Sequence, residues 1–81
     1  MRLDKYLKVS RLIKRRTIAN EACDAGKVFV NDKLARASYD VKIDDVITLS
    51  LGARQLRVKV VAVQETVAKN DAAMLYTVLE G

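Results

Sequence analysis

The residues of this sequence that are able to do chemistry are mostly cations, and they are concentrated near the amino terminus. Residues 1–16 hold seven basic side chains and one acidic side chain, whereas the other 65 residues hold eight basic and nine acidic ones. Guanidinium and ammonium groups gathered in this way bind polyanions, above all phosphate. We therefore predict a nucleic-acid-binding surface that contains Arg2, Lys5, Lys8, Arg11, Lys14, Arg15 and Arg16. The alternative is a helix face that serves only solubility, but such faces usually mix both signs of charge.

Catalytic chemistry has little support in the sequence. There is no histidine, Cys23 is the single cysteine, and no partner base is evident for the serines and threonines. We predict that the protein is not an enzyme and that it holds no metal and no cofactor. Asp44 and Asp45 resemble a carboxylate pair, but their position before a strand favours turn chemistry. Cys23 lies among small residues of a helical pattern, which favours a buried structural thiol.

The apolar periodicity predicts an α+β fold, with two N-terminal helices packed on a small, mostly antiparallel sheet. Leu3 and Leu7 have the i, i+4 spacing of a short first helix, and a second helix is predicted from about residue 14 to residue 25. We expect Ile18, Ala22 and Ala25 to form its buried face, with Ala19 at the edge.

After Gly26 the pattern becomes strand-like. Strands are predicted at residues 28–30, 33–36, 46–51, 56–63 and 74–79, with a tight turn at Asn31-Asp32 and a helical turn near residues 67–73. We predict one domain over residues 1–81, in which a C-terminal strand extension occupies about 50–81.

The cations lie where a helix would favour an anion. Lys14, Arg15 and Arg16 fall at the predicted start of the second helix, where the backbone N–H groups carry partial positive charge. Each cation there weakens the helix by a few tenths of a kcal/mol. A bound polyanion would explain why the sequence keeps them.

These residues belong to a longer pattern, over about residues 1–49, that resembles the S4-type RNA-binding domain. The pattern comprises Arg2-Leu3-Asp4-Lys5-Tyr6-Leu7, Arg11-Leu12, Lys14-Arg15-Arg16-Thr17-Ile18-Ala19, Ala25-Gly26-Lys27-Val28-Phe29-Val30-Asn31, and residues 41–47 with Asp45. The resemblance implies binding of structured RNA through the helix pair, with Arg2, Arg11, Lys14, Arg15 and Arg16 as contacts. Asp4 is expected to orient nearby arginines rather than to contact RNA. A departure is Asp32, where such turns commonly have glycine.

The first seventeen residues are similar to the free-standing, ribosome-associated quality-control group of this family. That similarity implies binding to the rRNA of the large ribosomal subunit and to peptidyl-tRNA, and assistance to the partner RqcH in adding alanine tails to stalled chains. The sequence given also ends without the long basic extension of the heat-shock S4-type proteins, which favours the quality-control group. Alternatives are a heat-shock type factor that recycles stalled large subunits and a ribosome assembly factor. We expect a cytoplasmic monomer that does not associate with membranes.

Two other classes of function remain open at this point. Two short helices with a basic second helix suggest a DNA-binding helix-turn-helix, but the arginines cluster at the helix start and Asn20 is the only base-reading residue type on its polar side. A protein-interaction module is the other alternative, because the strand near Val58–Val63 is rich in valine and could offer an edge. The alternation of these valines with Arg57 and Lys59 favours a core strand instead.

Overall fold

The computed structural model describes residues 1–65 and 67–79, and it confirms the predicted α+β fold class. Helix α1 spans Leu3–Val9 and helix α2 spans Arg16–Asp24. They are followed by strands β1 (Val28–Val30), β2 (Lys33–Leu34), β3 (Val46–Leu51) and β4 (Arg54–Val60), then by a 3₁₀ helix (Lys69–Leu75) and strand β5 (Tyr76–Leu79). Thr66, Glu80 and Gly81 of the predicted C-terminal extension lie outside the described residues.

The five strands form one sheet in the order β2-β1-β3-β4-β5, and each neighbouring pair is antiparallel. The tight turn predicted at Asn31-Asp32 joins β1 and β2, and positive φ at both Asn31 (53°) and Asp32 (66°) is the backbone of a type I′ hairpin. Strand β4 begins two residues earlier and ends three earlier than predicted. It begins earlier because the left-handed turn at Gly52 lets pairing start at Arg54, which lies opposite Leu51.

The core lies between α1 and one face of the sheet. Leu3, Tyr6 and Leu7 are fully buried, and they belong to one cluster with sheet residues such as Val58 and Val60. Burial of this apolar area supplies most of the stabilisation that an 81-residue chain has available. The Tyr6 hydroxyl donates a hydrogen bond of 2.8 Å to the carbonyl of Leu75, which ties α1 to the end of the 3₁₀ helix.

The face of α2 that packs inward differs from the predicted one. Ala19 and Cys23 are buried, whereas Ile18 is 47% exposed and Ala25 is also exposed, so the prediction of an Ile18–Ala22–Ala25 face is wrong. Successive helical residues are about 100° apart, so α2 is turned by about that angle from the predicted orientation, which brings Ala19 inward in place of Ile18. We attribute the rotation to the small side chains of Ala19 and Cys23, which allow α2 to approach its neighbours closely.

The segment before β3 holds the amino terminus in place. The Leu3 N–H donates to the carbonyl of Tyr39 (2.8 Å), and the Val41 N–H donates to the carbonyl of Met1 (2.8 Å). Asp45 stabilises this segment from inside, because its carboxylate accepts hydrogen bonds from the Asn31 amide, the Tyr39 hydroxyl and a backbone N–H. This carboxylate therefore does turn chemistry, as predicted.

Candidate nucleic-acid interface

The structure distributes the seven predicted cations over α1, α2 and the connection between them. Arg2 lies at the N-cap position of α1, Arg15 lies at that of α2, and Arg16 is the first residue of α2. Lys5 is partly buried, and the other six, which are Arg2, Lys8, Arg11, Lys14, Arg15 and Arg16, are exposed. The surface is thus available to a ligand, and most of its cations fall into two clusters.

The first cluster surrounds a buried carboxylate, and we call it the Asp4 cluster (Arg2, Asp4, Arg16 and Asn20). Asp4 is only 2% exposed. It accepts hydrogen bonds from Arg2 Nε (3.1 Å) and Arg2 Nη2 (3.2 Å), and one from Asn20 Nδ2 (3.2 Å). Arg16 Nε lies 3.5 Å from the Asp4 Oδ2 atom. One carboxylate therefore contacts the arginine at the start of α1 and the arginine at the start of α2. This is the geometry that an orienting role for Asp4 needs.

The environment of Asp4 favours its charged form. Burial by itself would raise the pKa of this carboxyl group, because it removes water from the charge. Hydrogen bonds from Arg2, Asn20 and the Lys5 backbone N–H, together with the charge of Arg16, outweigh burial and lower the pKa to about 2. The carboxylate consequently stays ionised at neutral pH and can hold both guanidinium groups.

The lowered pKa of Asp4 predicts a loss of stability in acid. A carboxyl group whose pKa falls from its usual 3.8 to about 2 on folding stabilises the native state above the unfolded value. We expect this contribution, about 2 kcal/mol, to disappear as the pH falls from about 5 through the folded-state pKa to about 1. Urea unfolding followed by circular dichroism at several pH values measures it. In Asp4→Asn the corresponding part of the pH dependence should be absent, and equal acid dependence of the two proteins would contradict the prediction.

The second cluster lies at the connection between the helices, and we call it the connection cluster (Lys8, Arg11 and Lys14). These three cations line a cleft of about 200 Å³ together with Val9, Glu65 and Val67. The Glu65 carboxylate pairs with Lys5, whose ammonium group also lowers the pKa of Glu65. Lys5 is thereby engaged within the protein, so Lys5 is the predicted contact least available to a ligand.

Arg11 occupies a backbone conformation that usually favours glycine. Its φ is 62°, and its N–H donates to the carbonyl of Lys8 (3.1 Å) just past the end of α1. A left-handed conformation costs an L-residue with a Cβ roughly 1 kcal/mol. A glycine would avoid this cost, whereas the arginine adds a cation to the connection cluster at this position.

Two further polar residues belong to this surface, although they are not among the seven predicted cations. The sequence marks Asn20 only as a residue type that can read bases. In the structure its side-chain amide donates a hydrogen bond to Asp4. Arg36 lies outside the first sixteen residues, yet it lines the same cleft as Arg2. No local pattern signals either role, because both depend on the packing of distant segments.

Cys23 does not belong to a reactive site. Its thiol is buried, as predicted, and burial raises its pKa to about 11, with Asp4 and Asp24 adding to the effect. A protonated, buried thiol is a poor nucleophile.

Among the described residues, none of the helices is long and apolar enough to cross a membrane.

Comparison with known proteins places this surface in a family context. The family model described as S4 domain matches residues 1–47. These residues contain every member of the Asp4 cluster and of the connection cluster. Glu65 and Val67, which line the cleft beside the connection cluster, lie outside the matched segment. The RQC P-site tRNA stabilizing factor of Streptococcus pneumoniae is 48% identical over 79 residues, covering 98% of this chain and 90% of that protein. The Bacillus subtilis protein of the same name is 49% identical over 80 residues, covering 99% and 93%.

More distant similarity extends to the heat shock protein 15 group. The homolog of Haemophilus influenzae is 32% identical over 65 residues, covering 80% of this chain and 50% of that protein. The trimeric structure of Vibrio cholerae heat shock protein 15 superposes with a TM-score of 0.90 at 30% identity, covering 98% of this chain and 81% of that one. The fold is thus shared more widely than the sequence.

Proposed function

Because this chain belongs to the S4 domain family, and within it to the RQC P-site tRNA stabilizing factors, we propose that it binds RNA on the large ribosomal subunit and stabilises the P-site tRNA there. The observation that carries the proposal is the Asp4 cluster. A buried, ionised carboxylate holds Arg2 and Arg16 in place, while each arginine side chain remains about half exposed. Arginines held in this way are preorganised for phosphate, since less side-chain freedom is lost on binding.

The shape and charge of the surface favour RNA over duplex DNA. Most of the cations cluster near the α1–α2 connection instead of running along an exposed recognition helix, and α2 is only nine residues long. Such a surface contacts backbone phosphates and recognises shape, which suits folded RNA. We propose that Arg2, Lys8, Arg11, Lys14, Arg15 and Arg16 make these contacts, and that Asp4 orients Arg2 and Arg16.

The proposed target is one particular state of the ribosome. The protein binds large subunits that still hold peptidyl-tRNA, contacts an rRNA helix and the tRNA together, and thereby assists RqcH-dependent alanine tailing of the stalled chain. It acts without catalysis, in the cytoplasm. A monomer suffices for this role; because the Vibrio cholerae relative is trimeric, light scattering of the free protein is the appropriate measurement.

A heat-shock type role in recycling stalled large subunits is the second candidate, and the similarity of fold to heat shock protein 15 favours it. The two functions differ in their products. Quality control requires alanine tails on stalled chains, whereas recycling does not. Deletion of the gene should therefore abolish the tails if the first function is correct and leave them unchanged if the second is.

A pull-down followed by a sucrose gradient tests the primary proposal. The tagged protein should sediment with large subunits that carry peptidyl-tRNA, and structured rRNA should compete for binding far better than duplex DNA. Sedimentation with small subunits, recovery of mRNA alone, or preference for duplex DNA would contradict the proposal.

A further inference from the structure

A cleft beside the predicted basic surface lies between α2 and the segment that follows β2. Its volume is about 520 Å³, within the range of roughly 300–1,000 Å³ that small-ligand sites occupy. Arg2, Asn20, Cys23 and Asp24 line one part of it, and residues 34–38 line the rest. We propose that this cleft binds one unpaired nucleotide of the RNA, with its phosphate between Arg2 and Arg36. The inference rests on the proposed function and adds a site to it.

Two arginines bring positive charge to the cleft. Arg2 uses Nε and Nη2 on Asp4, which leaves the N–H groups of Nη1 for an outside acceptor. Arg36 is exposed and forms no ion pair within residues 1–65 and 67–79, although Asp24 lines the same cleft. A phosphate shared by two guanidinium groups gains charge-assisted hydrogen bonds from both.

The remaining walls suit a base. Leu34 is 64% exposed, and its Cδ1 atom lies close to Gly26, so its side chain presents an apolar surface at the edge of the cleft. Ala35 and Ala37 are small and buried, and they leave room beside it. The Asp24 carboxylate repels phosphate but accepts hydrogen bonds from the amino groups of a base. Phosphate and base therefore have separate positions.

The concave shape selects an unpaired nucleotide over a helix. Bases in a duplex are stacked and cannot enter a cleft, whereas nucleotides in loops and bulges turn outward and bind in protein pockets. The tether of the amino terminus to residues 37–41 holds Arg2 next to the Arg36 segment, because Leu3 and Val41 both donate backbone hydrogen bonds across this junction. The backbone segments that carry Arg2 and Arg36 are consequently held next to each other by the fold.

The experiment measures binding to purified large subunits that carry peptidyl-tRNA. Arg36→Ala should weaken binding roughly tenfold, as loss of one charge-assisted contact predicts. Lys33→Ala is the matched control, because Lys33 is also exposed and basic but does not line the cleft. Its effect should be below roughly threefold, since only screened long-range attraction is lost. A photo-crosslinker at position 38, introduced as Ser38→p-benzoylphenylalanine, should attach to a nucleotide that is unpaired in the RNA.

The outcomes separate the cleft from the function on which it rests. Equal effects of Arg36→Ala and Lys33→Ala, or crosslinks to paired nucleotides only, would overturn the cleft while wild-type binding upholds the proposed function. If the wild-type protein fails to bind these subunits, the proposed function is wrong and the cleft proposal is wrong with it. Circular dichroism of Arg36→Ala should match the wild type, because an exposed side chain with no ion pair among the described residues contributes little to stability.

Discussion

Replacing Leu7 by alanine is expected to lower the free energy of unfolding by about 2 to 5 kcal/mol. Leu7 is fully buried in α1, within the cluster that joins the helix to the sheet. The substitution removes apolar surface and leaves a cavity that the neighbouring side chains fill only partly. Because small domains are only marginally stable, the variant could unfold at ordinary temperatures. Thermal and urea unfolding followed by circular dichroism measure the change.

The matched control for this variant is Leu34→Ala. The chemical change is the same, but Leu34 is 64% exposed, so its effect on stability should be about 0.5 kcal/mol or less. Similar losses from the two variants would show that α1 does not pack as the structure describes. The comparison therefore isolates burial from any general effect of leucine-to-alanine replacement.

The double variant Arg15→Ala/Arg16→Ala is expected to lose RNA binding while it keeps its fold. With two phosphate contacts removed, affinity for large subunits should fall roughly 100-fold. The slope of log affinity against log salt should become shallower by about 0.7 to 0.9 for each contact. Binding titrations at several salt concentrations measure both quantities.

Stability of this double variant should change little, for reasons that partly cancel. Two cations leave the start of α2, which relieves unfavourable interactions with the helix dipole worth a few tenths of a kcal/mol each. Against this, Asp4 loses the ion pair with Arg16 but keeps its hydrogen bonds from Arg2 and Asn20. Lys27→Ala/Lys33→Ala removes the same charge from other exposed positions and is the control. Unfolding of the arginine variant, or equal loss of binding by the control, would contradict the assigned role.

The structure also changes the choice of arginine for such tests. Arg2 donates two hydrogen bonds to a buried carboxylate, so its replacement would leave Asp4 partly unsatisfied and destabilise the fold. Arg16 makes one contact of 3.5 Å with Asp4, longer than the two hydrogen bonds from Arg2, and can be removed at lower cost. From the sequence the two arginines are equivalent, since both are basic residues close to a helix start.

The sequence by itself determined the segregation of charge, the two helices and the change to strands after Gly26. These features depend on neighbouring residues, because charge density, helical period and turn preference are all local properties. The hairpin at Asn31-Asp32 is an example, since both residue types tolerate the left-handed backbone that the turn needs.

Only the tertiary structure decided which side chains act together. It turned Ala19 inward and Ile18 outward, engaged Lys5 with Glu65, and joined Tyr6 to Leu75 across 69 positions of the chain. It also made Asp4 a buried anion with Asn20 as a partner, and brought Arg36 to the cleft that contains Arg2. These outcomes follow from the angle and depth at which elements pack, which periodicity does not encode. The cations were therefore predictable as a set. The sequence did not predict that Asp4 holds Arg2 and Arg16, that Glu65 pairs with Lys5, or that the other four remain exposed for a ligand.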